Sequence, residues 1–152
     1  MKIIQIYTDG ACSGNPGKGG YGIVMKFNDK QKTISEGFRL TTNNRMELLA
    51  VIVALEKVTV DTYPIEIYSD SKYVIDSITK GWVNSWVTKP NFGGKKNEDL
   101  WKRFLEVSKK FNITYHWVKG HNGHIENEMC DKLAVEASLN PNNIDKIYES
   151  KK

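Results

Sequence analysis

The sequence predicts an α/β fold in which helices pack on the faces of one mixed sheet. Three observations carry that reading. The elements run in the order βββαβα…αβα, so a meander of strands on short connections gives way to strands separated by helices. Two strands nearly repeat each other, Ile4-Gln5-Ile6-Tyr7-Thr8-Asp9 and Ile65-Glu66-Ile67-Tyr68-Ser69-Asp70, and each stops on an aspartate. Between them lies a helix that is nearly all apolar after Glu47, as expected of one packed across a sheet.

Taken in order, a first strand spans about 3–9 and runs into a glycine-rich turn, Gly10 to Gly20. Two strands follow, Tyr21 to Phe27 and Lys32 to Leu40, with Asn28-Asp29 as their hairpin turn. Thr42 or Asn43 caps the apolar helix, Arg45 to Val58, and Tyr63-Pro64 separates it from the fourth strand, 65–69. Asp70 or Ser71 caps a second helix reaching Lys80. A segment bearing Trp and Lys is broken by Lys89-Pro90 and Phe92-Gly93-Gly94. A helix over Glu98 to Phe111, a strand over Ile113 to Val118 and a last helix over Asn127 to Ser138 complete residues 1–140 as one domain. Residues 141–152, poor in apolar side chains, are expected to form a short flexible tail.

Composition narrows the function classes. No apolar run approaches the ~20 residues that cross a bilayer. The chain enters a strand almost at once (Lys2-Ile3-Ile4), so no signal peptide is expected. Cys12 and Cys130, without metal-finger spacing, suit a reducing cytoplasm. A net charge of +4 leans toward an anionic partner.

Candidate chemistry starts from the two aspartates. With period 2, Gln5, Tyr7 and Asp9 share a face, as do Glu66, Tyr68 and Asp70. Paired in parallel about 4.8 Å apart, the strands would project both carboxylates from one sheet end. Such anions repel, and a divalent cation between them is the usual resolution. Alone, Asp9-Gly10 reads as a turn and Asp70 as a helix cap; the repeated context lifts the pair above that. Glu47 in the first turn of the apolar helix and Asp131 on the last helix are further acidic candidates, each in isolation an ordinary polar position. His121 lies in Lys119-Gly120-His121-Asn122-Gly123-His124, a loop suited to proton transfer near an acidic centre. Zinc held by His121, His124 and Cys130 lacks a fourth ligand. Gly17-Lys18-Gly19-Gly20-Tyr21-Gly22 matches G-x-G-x-x-G, but a strand follows instead of a helix, so the dinucleotide reading gives way to a tight turn that lets another backbone come close. Trp82, Trp86, Lys89, Lys95 and Lys96 interleave aromatics with cations, which suits a nucleic-acid backbone and also ordinary helix packing.

Tyr7-Thr8-Asp9-Gly10, Thr41-Thr42-Asn43-Asn44-Arg45-Met46-Glu47, Ser69-Asp70-Ser71, Val118-Lys119-Gly120-His121 and Asn127-Glu128-Met129-Cys130-Asp131 occur in one order. Together they resemble type 1 ribonuclease H of the bacterial kind, from about Lys2 to Asn140. The resemblance implies a five-stranded mixed sheet, three antiparallel strands then parallel ones. It implies metal binding by Asp9, Glu47, Asp70 and Asp131, with two Mg²⁺ ions and Mn²⁺ as a substitute. His121 matches the family's mobile histidine. Cys12, Asn15, Asn43 and Asn44 fall among the substrate contacts, the asparagines against the RNA strand and its 2′-hydroxyls. Thr42 and Asn97 match a pocket for a DNA phosphate. Trp82, Trp86, Lys89, Lys95 and Lys96 match a basic protrusion against the DNA strand. The expected activity is endonucleolytic hydrolysis of RNA in RNA–DNA hybrids, leaving 5′-phosphate and 3′-hydroxyl ends, by a cytoplasmic monomer. The rivals are a nuclease with a DNA target and a silent hybrid-binding module.

Three positions depart from that pattern. Leu40 stands where a basic residue is common, with Arg39 one place earlier and expected on the opposite face, which predicts a weaker phosphate pocket. Lys72 replaces a common glutamine, exchanging a base-edge contact for a phosphate contact. The protrusion between Trp86 and Asn97 is shorter and carries fewer cations.

Overall fold

The computed structural model describes residues 2–119 and 124–151. Five strands, β1 (Ile4–Ser13), β2 (Gly17–Phe27), β3 (Lys30–Thr41), β4 (Ile65–Ser69) and β5 (Ile113–Trp117), form one sheet in the order β3-β2-β1-β4-β5. The pairs β1–β2 and β2–β3 are antiparallel, whereas β1–β4 and β4–β5 are parallel. The expected mixed sheet is therefore present. In register, Tyr7 pairs with Tyr68 and Thr8 with Ser69, so Asp70, just past β4, comes beside Asp9, which lies within β1 because that strand runs on to Ser13.

Helix α1 (Asn43–Glu56) has the apolar character of a helix covered on all sides: Met46 to Ile52, Ala54 and Leu55 are all buried. It lies between the sheet and α4 (Glu98–Ser108), joined in the core by Trp101 and Phe104. Its cap is Thr42, whose Oγ1 accepts the Arg45 amide at 3.2 Å. Helix α2 (Lys72–Thr79) is capped by Ser71, whose Oγ accepts the Val74 amide, and this leaves the Asp70 carboxylate free to turn elsewhere. Helix α3 (Trp82–Val87) and a tight segment, Pro90–Gly94, fill the Trp- and Lys-bearing stretch. Helix α5 (Ile125–Leu139) covers the opposite sheet face.

The glycine-rich stretch turns over a shorter span than expected, and it admits another backbone as expected. Only residues 14–16 turn; β1 continues to Ser13 and β2 begins at Gly17. Gly14 takes the turn at φ 74°, whereas Gly20 and Gly22 serve close packing. A Cβ at Gly20 would stand 2.6 Å from the Ala134 carbonyl oxygen, and one at Gly22 would collide with the Cys130 carbonyl. Gly37 on β3 is in the same situation against Ala137, so α5 lies directly on the sheet backbone.

The segment beyond Asn140 also differs. Phe38 bridges to Asn143, and residues 146–150 form α6 (Lys146–Ser150). Asp145 is buried, accepting from Thr41 Oγ1 at 2.8 Å and from Arg45 Nε at 2.7 Å. Few apolar groups hold this segment; charge-assisted hydrogen bonds do.

Candidate active site

Gly10 is the residue that lets the site close. A Cβ there would come within 2.6 Å of the Glu47 amide nitrogen, so only glycine allows the first turns of α1 to press against β1. Glu47 thereby reaches the sheet end that carries Asp9 and Asp70. Carboxylate oxygens of Asp9, Glu47 and Asp70 lie within 4.8 Å of one another.

Asp9 and Glu47 are buried, at 8% and 5% exposure, and Asp70 is half-buried. The Gly10 amide donates to Asp9 Oδ1 at 2.8 Å, but Glu47 Oε1 and Asp70 Oδ1 are buried without a hydrogen-bond partner. Among the described residues no lysine or arginine forms an ion pair with the trio. Burial and then the charges of Asp70 and Asp131 push Asp9 up to about 7, against the pull of the Gly10 amide. Burial, then Asp9 and Asp70, drive Glu47 well above the ordinary carboxylate range.

The trio opens into a cavity of about 250 Å³ that Asn43, Lys119, His124, Asn127, Glu128 and Asp131 also line. Asp131 is exposed on α5, close enough to raise Asp9 but outside the tight trio. The arrangement concentrates hard oxygen donors with no lysine or arginine paired to them among the described residues, the chemistry of a site for a divalent metal.

A family model for RNase H matches residues 1–139. The chain belongs to the RNase H family. It is 51% identical to the Ribonuclease H of Rippkaea orientalis, over 99% of this chain and 94% of that one. It is 51% identical to the Ribonuclease H of Desulforamulus reducens, over 93% and 91% of the two chains. Among solved structures it is similar to LC9-RNase H1, a type 1 RNase H with the type 2 active-site motif. There the TM-score is 0.80 and the identity 28%, over 91% of this chain and 72% of that one.

The residues expected to meet substrate are divided between two places. Asn43 lines the acidic cavity. Asn15, Thr42, Asn44, Lys95, Lys96 and Asn97 line a second, larger groove of about 700 Å³ beside the α1 N-terminus. Asn15 Oδ1 accepts the Asn43 amide at 3.0 Å, tying the β1–β2 turn to α1. Asn97, at φ 65°, donates through Nδ2 to Tyr73 Oη at 3.0 Å. Trp82 is 44% exposed with Lys80 over its ring, whereas Trp86 packs edge-on against Trp101 and Phe92 with Lys95 above it. Lys89 is exposed on the same protrusion. Cys12 is half-buried, its Sγ donating to the Gly14 and Thr41 carbonyls. His121 lies outside the described residues.

The departures also find places. Arg39 is turned to Glu149 of α6 at 2.8 Å. Lys72 sits 4.8 Å over the Trp117 ring. The sequence reading missed the Arg45 cluster. Arg45 is buried and forks onto Asp99 at 2.7 Å and Asp145 at 2.7 Å, beside Asn97. An arginine next to two capping-type residues at an apolar helix start was the available signal.

Proposed function

We propose that this protein is an endonuclease that hydrolyses the RNA strand of RNA–DNA hybrids with two Mg²⁺ ions, leaving 5′-phosphate and 3′-hydroxyl ends. The observation that carries the reading is the buried trio Asp9, Glu47 and Asp70, with unpartnered oxygens and Asp131 at its rim, in a chain of the RNase H family. Hard carboxylate oxygens fit Mg²⁺ and tolerate Mn²⁺, and unpartnered Glu47 Oε1 and Asp70 Oδ1 are the atoms such an ion would satisfy. Asp9 and Asp70 would hold both ions, with Glu47 and Asp131 completing one site each. When bound, the pair would acidify the attacking water and stabilise charge on the leaving oxygen.

The chain's own groups bind and orient. Asn43 and Asn44 offer amides that both donate to and accept from a 2′-hydroxyl, the group that separates RNA from DNA. With Asn15 Oδ1 engaged by the Asn43 amide, its NH₂ remains to donate to the RNA strand. Thr42 and Asn97 receive a phosphate of the DNA strand, and Lys89, Lys95 and Lys96 supply cations along the protrusion. Exposed Trp82 offers a flat face to deoxyribose. His121 carries the proton between the site and solvent. Cys12 and Cys130 are both unpaired, consistent with a reducing cytoplasm, where the protein would act as a monomer.

A labelled hybrid assayed beside duplex RNA and duplex DNA, with Mg²⁺, Mn²⁺ or chelator, tests this. Cleavage confined to the RNA of the hybrid and abolished by chelator is expected. Equal cleavage of duplex DNA, or full activity of Asp9→Asn or Asp70→Asn, would overturn it.

A further inference from the structure

The groove beside the α1 N-terminus is walled in part by the segment that sequence alone leaves as a tail. Tyr148 and Lys151 of that segment face Thr42, Asn44, Lys95 and Lys96 across about 700 Å³. The charges around the groove decide what it can hold. Arg45 also lines it, but its guanidinium is held by two carboxylates: Asp99 at 2.7 Å and Asp145 at 2.7 Å. That cluster carries one positive and two negative charges, so Arg45 offers little to an anion. Glu98, the carboxylate that lines the groove, is paired with Lys102 at 2.7 Å, and Glu149 on α6 with Arg39 at 2.8 Å. Lys95, Lys96 and Lys151 form no ion pair among the described residues.

The segment is fixed where it stands. Asp145 Oδ1 accepts the Tyr148 amide and Arg45 Nη2, and Asp145 Oδ2 accepts Thr41 Oγ1, so α6 is anchored to β3 and α1 together. The Arg45 guanidinium stands 5.7 Å over the Tyr148 ring. Asp99 gives a second sign of where Lys151 lies. Burial acts to raise the Asp99 carboxyl, Arg45 overrides it, and the Lys151 charge adds to the lowering.

We infer that α6 is part of the nucleic-acid surface and that Lys151 contacts a backbone phosphate seated in this groove, opposite Lys95 and Lys96. The inference rests on the proposed hybrid substrate and adds a cation from the far end of the chain. It places one wall of the groove on an element that the acidic centre does not use.

The test measures hybrid affinity by fluorescence anisotropy in chelator, which prevents cleavage, over a range of salt concentrations. Each phosphate contact contributes a slope of roughly 0.9 to the fall of log K with log salt. Lys151→Ala should lower the slope by about one, raise KM and leave kcat unchanged, with Lys151→Arg restoring both. Lys146→Ala, on α6 but outside the groove, should leave the slope as it is. An unchanged slope and KM in Lys151→Ala, with the wild type binding hybrid normally, would overturn this inference and leave the proposed function standing. Wild-type protein that shows no salt-dependent hybrid binding would overturn both.

Discussion

Replacing Asp9 by asparagine takes one charge out of the acidic trio while keeping the side chain's shape. In metal-free protein this should stabilise the fold above neutrality. Burial first, and then Asp70, hold the folded-state pKa at about 7, against the ordinary aspartate value of 3.8. Between those values the native state keeps a proton that the unfolded chain has released, so stability falls as pH rises through the window. Below 3.8 both states are protonated and Asp9 carries no penalty; above about 7 the whole penalty stands. The gap corresponds to roughly 4 kcal/mol. Glu47 and Asp70 share the same repulsion, so the gain on neutralising Asp9 alone is smaller, about 1–3 kcal/mol. The amide oxygen of an asparagine can still accept the Gly10 N–H that now lies 2.8 Å from Oδ1.

The assay is thermal unfolding of wild type and Asp9→Asn in chelator from about pH 4 to pH 9. At the alkaline end the variant should melt several degrees higher, since each kcal/mol is worth about 2–4 °C in a chain of this size. The two curves should converge near pH 4. Added Mg²⁺ should then raise the wild type more than the variant, because ligand binding to the native state stabilises it by mass action. A variant no more stable than wild type at about pH 8.5, or an advantage that persists undiminished at pH 4, would refute the electrostatic account.

Other perturbations probe the frame around the site. Gly22→Ala should lower Tm by several degrees and slow cleavage, because its Cβ would meet the Cys130 carbonyl and displace α5 with Asp131; differential scanning calorimetry and a hybrid assay read both. Arg45→Ala should cost about 3–5 kcal/mol in urea unfolding, since it takes the guanidinium of the ion pair away from Asp99 and buried Asp145. Tyr73→Phe should cost about 1–3 kcal/mol, because Trp101 Nε1 and Asn97 Nδ2 both donate to its hydroxyl, at 2.9 and 3.0 Å. Asn44→Ala should slow hybrid cleavage by an amount equivalent to about 1–3 kcal/mol; an unchanged rate would mean that the RNA is sensed elsewhere.

What the sequence made legible was what local pattern encodes. The repeat at Ile4–Asp9 and Ile65–Asp70 showed that two strands share a design, and the parallel pairing it left conditional is the one found. The helix caps stayed ambiguous because Thr42 and Asn43, or Asp70 and Ser71, are equally good capping types; only the fold shows that Ser71 caps and Asp70 is released. The glycines after Gly10 read as a turn, since glycine is a turn signal in isolation. Gly14 and Gly17 do serve the turn, but Gly20 and Gly22 admit α5, more than a hundred residues later, and no window can contain that partner. The docking of residues 141–151 was hidden for the same reason. Its anchor, Asp145, meets Arg45 across 100 residues and through ion pairing, which leaves no periodic trace.

Helix α1 joins these parts into one device. Arg45 and Glu47 are two residues apart, about 200° around the helix, so they face opposite ways. Glu47 turns to Asp9 and Asp70, and Arg45 to Asp99, Asp145 and the groove. The helix cannot easily shift to relieve the strain of its acidic face, because nearly every residue from Arg45 to Leu55 is buried and Thr42 caps its start. Repulsion among three carboxylates is therefore held by core packing and not by local pairing. The same immobility sets the distance between the acidic cavity and the groove walled by α6. On the proposed function, a duplex gripped in the groove would meet the carboxylates at a fixed spacing, determined by one helix end.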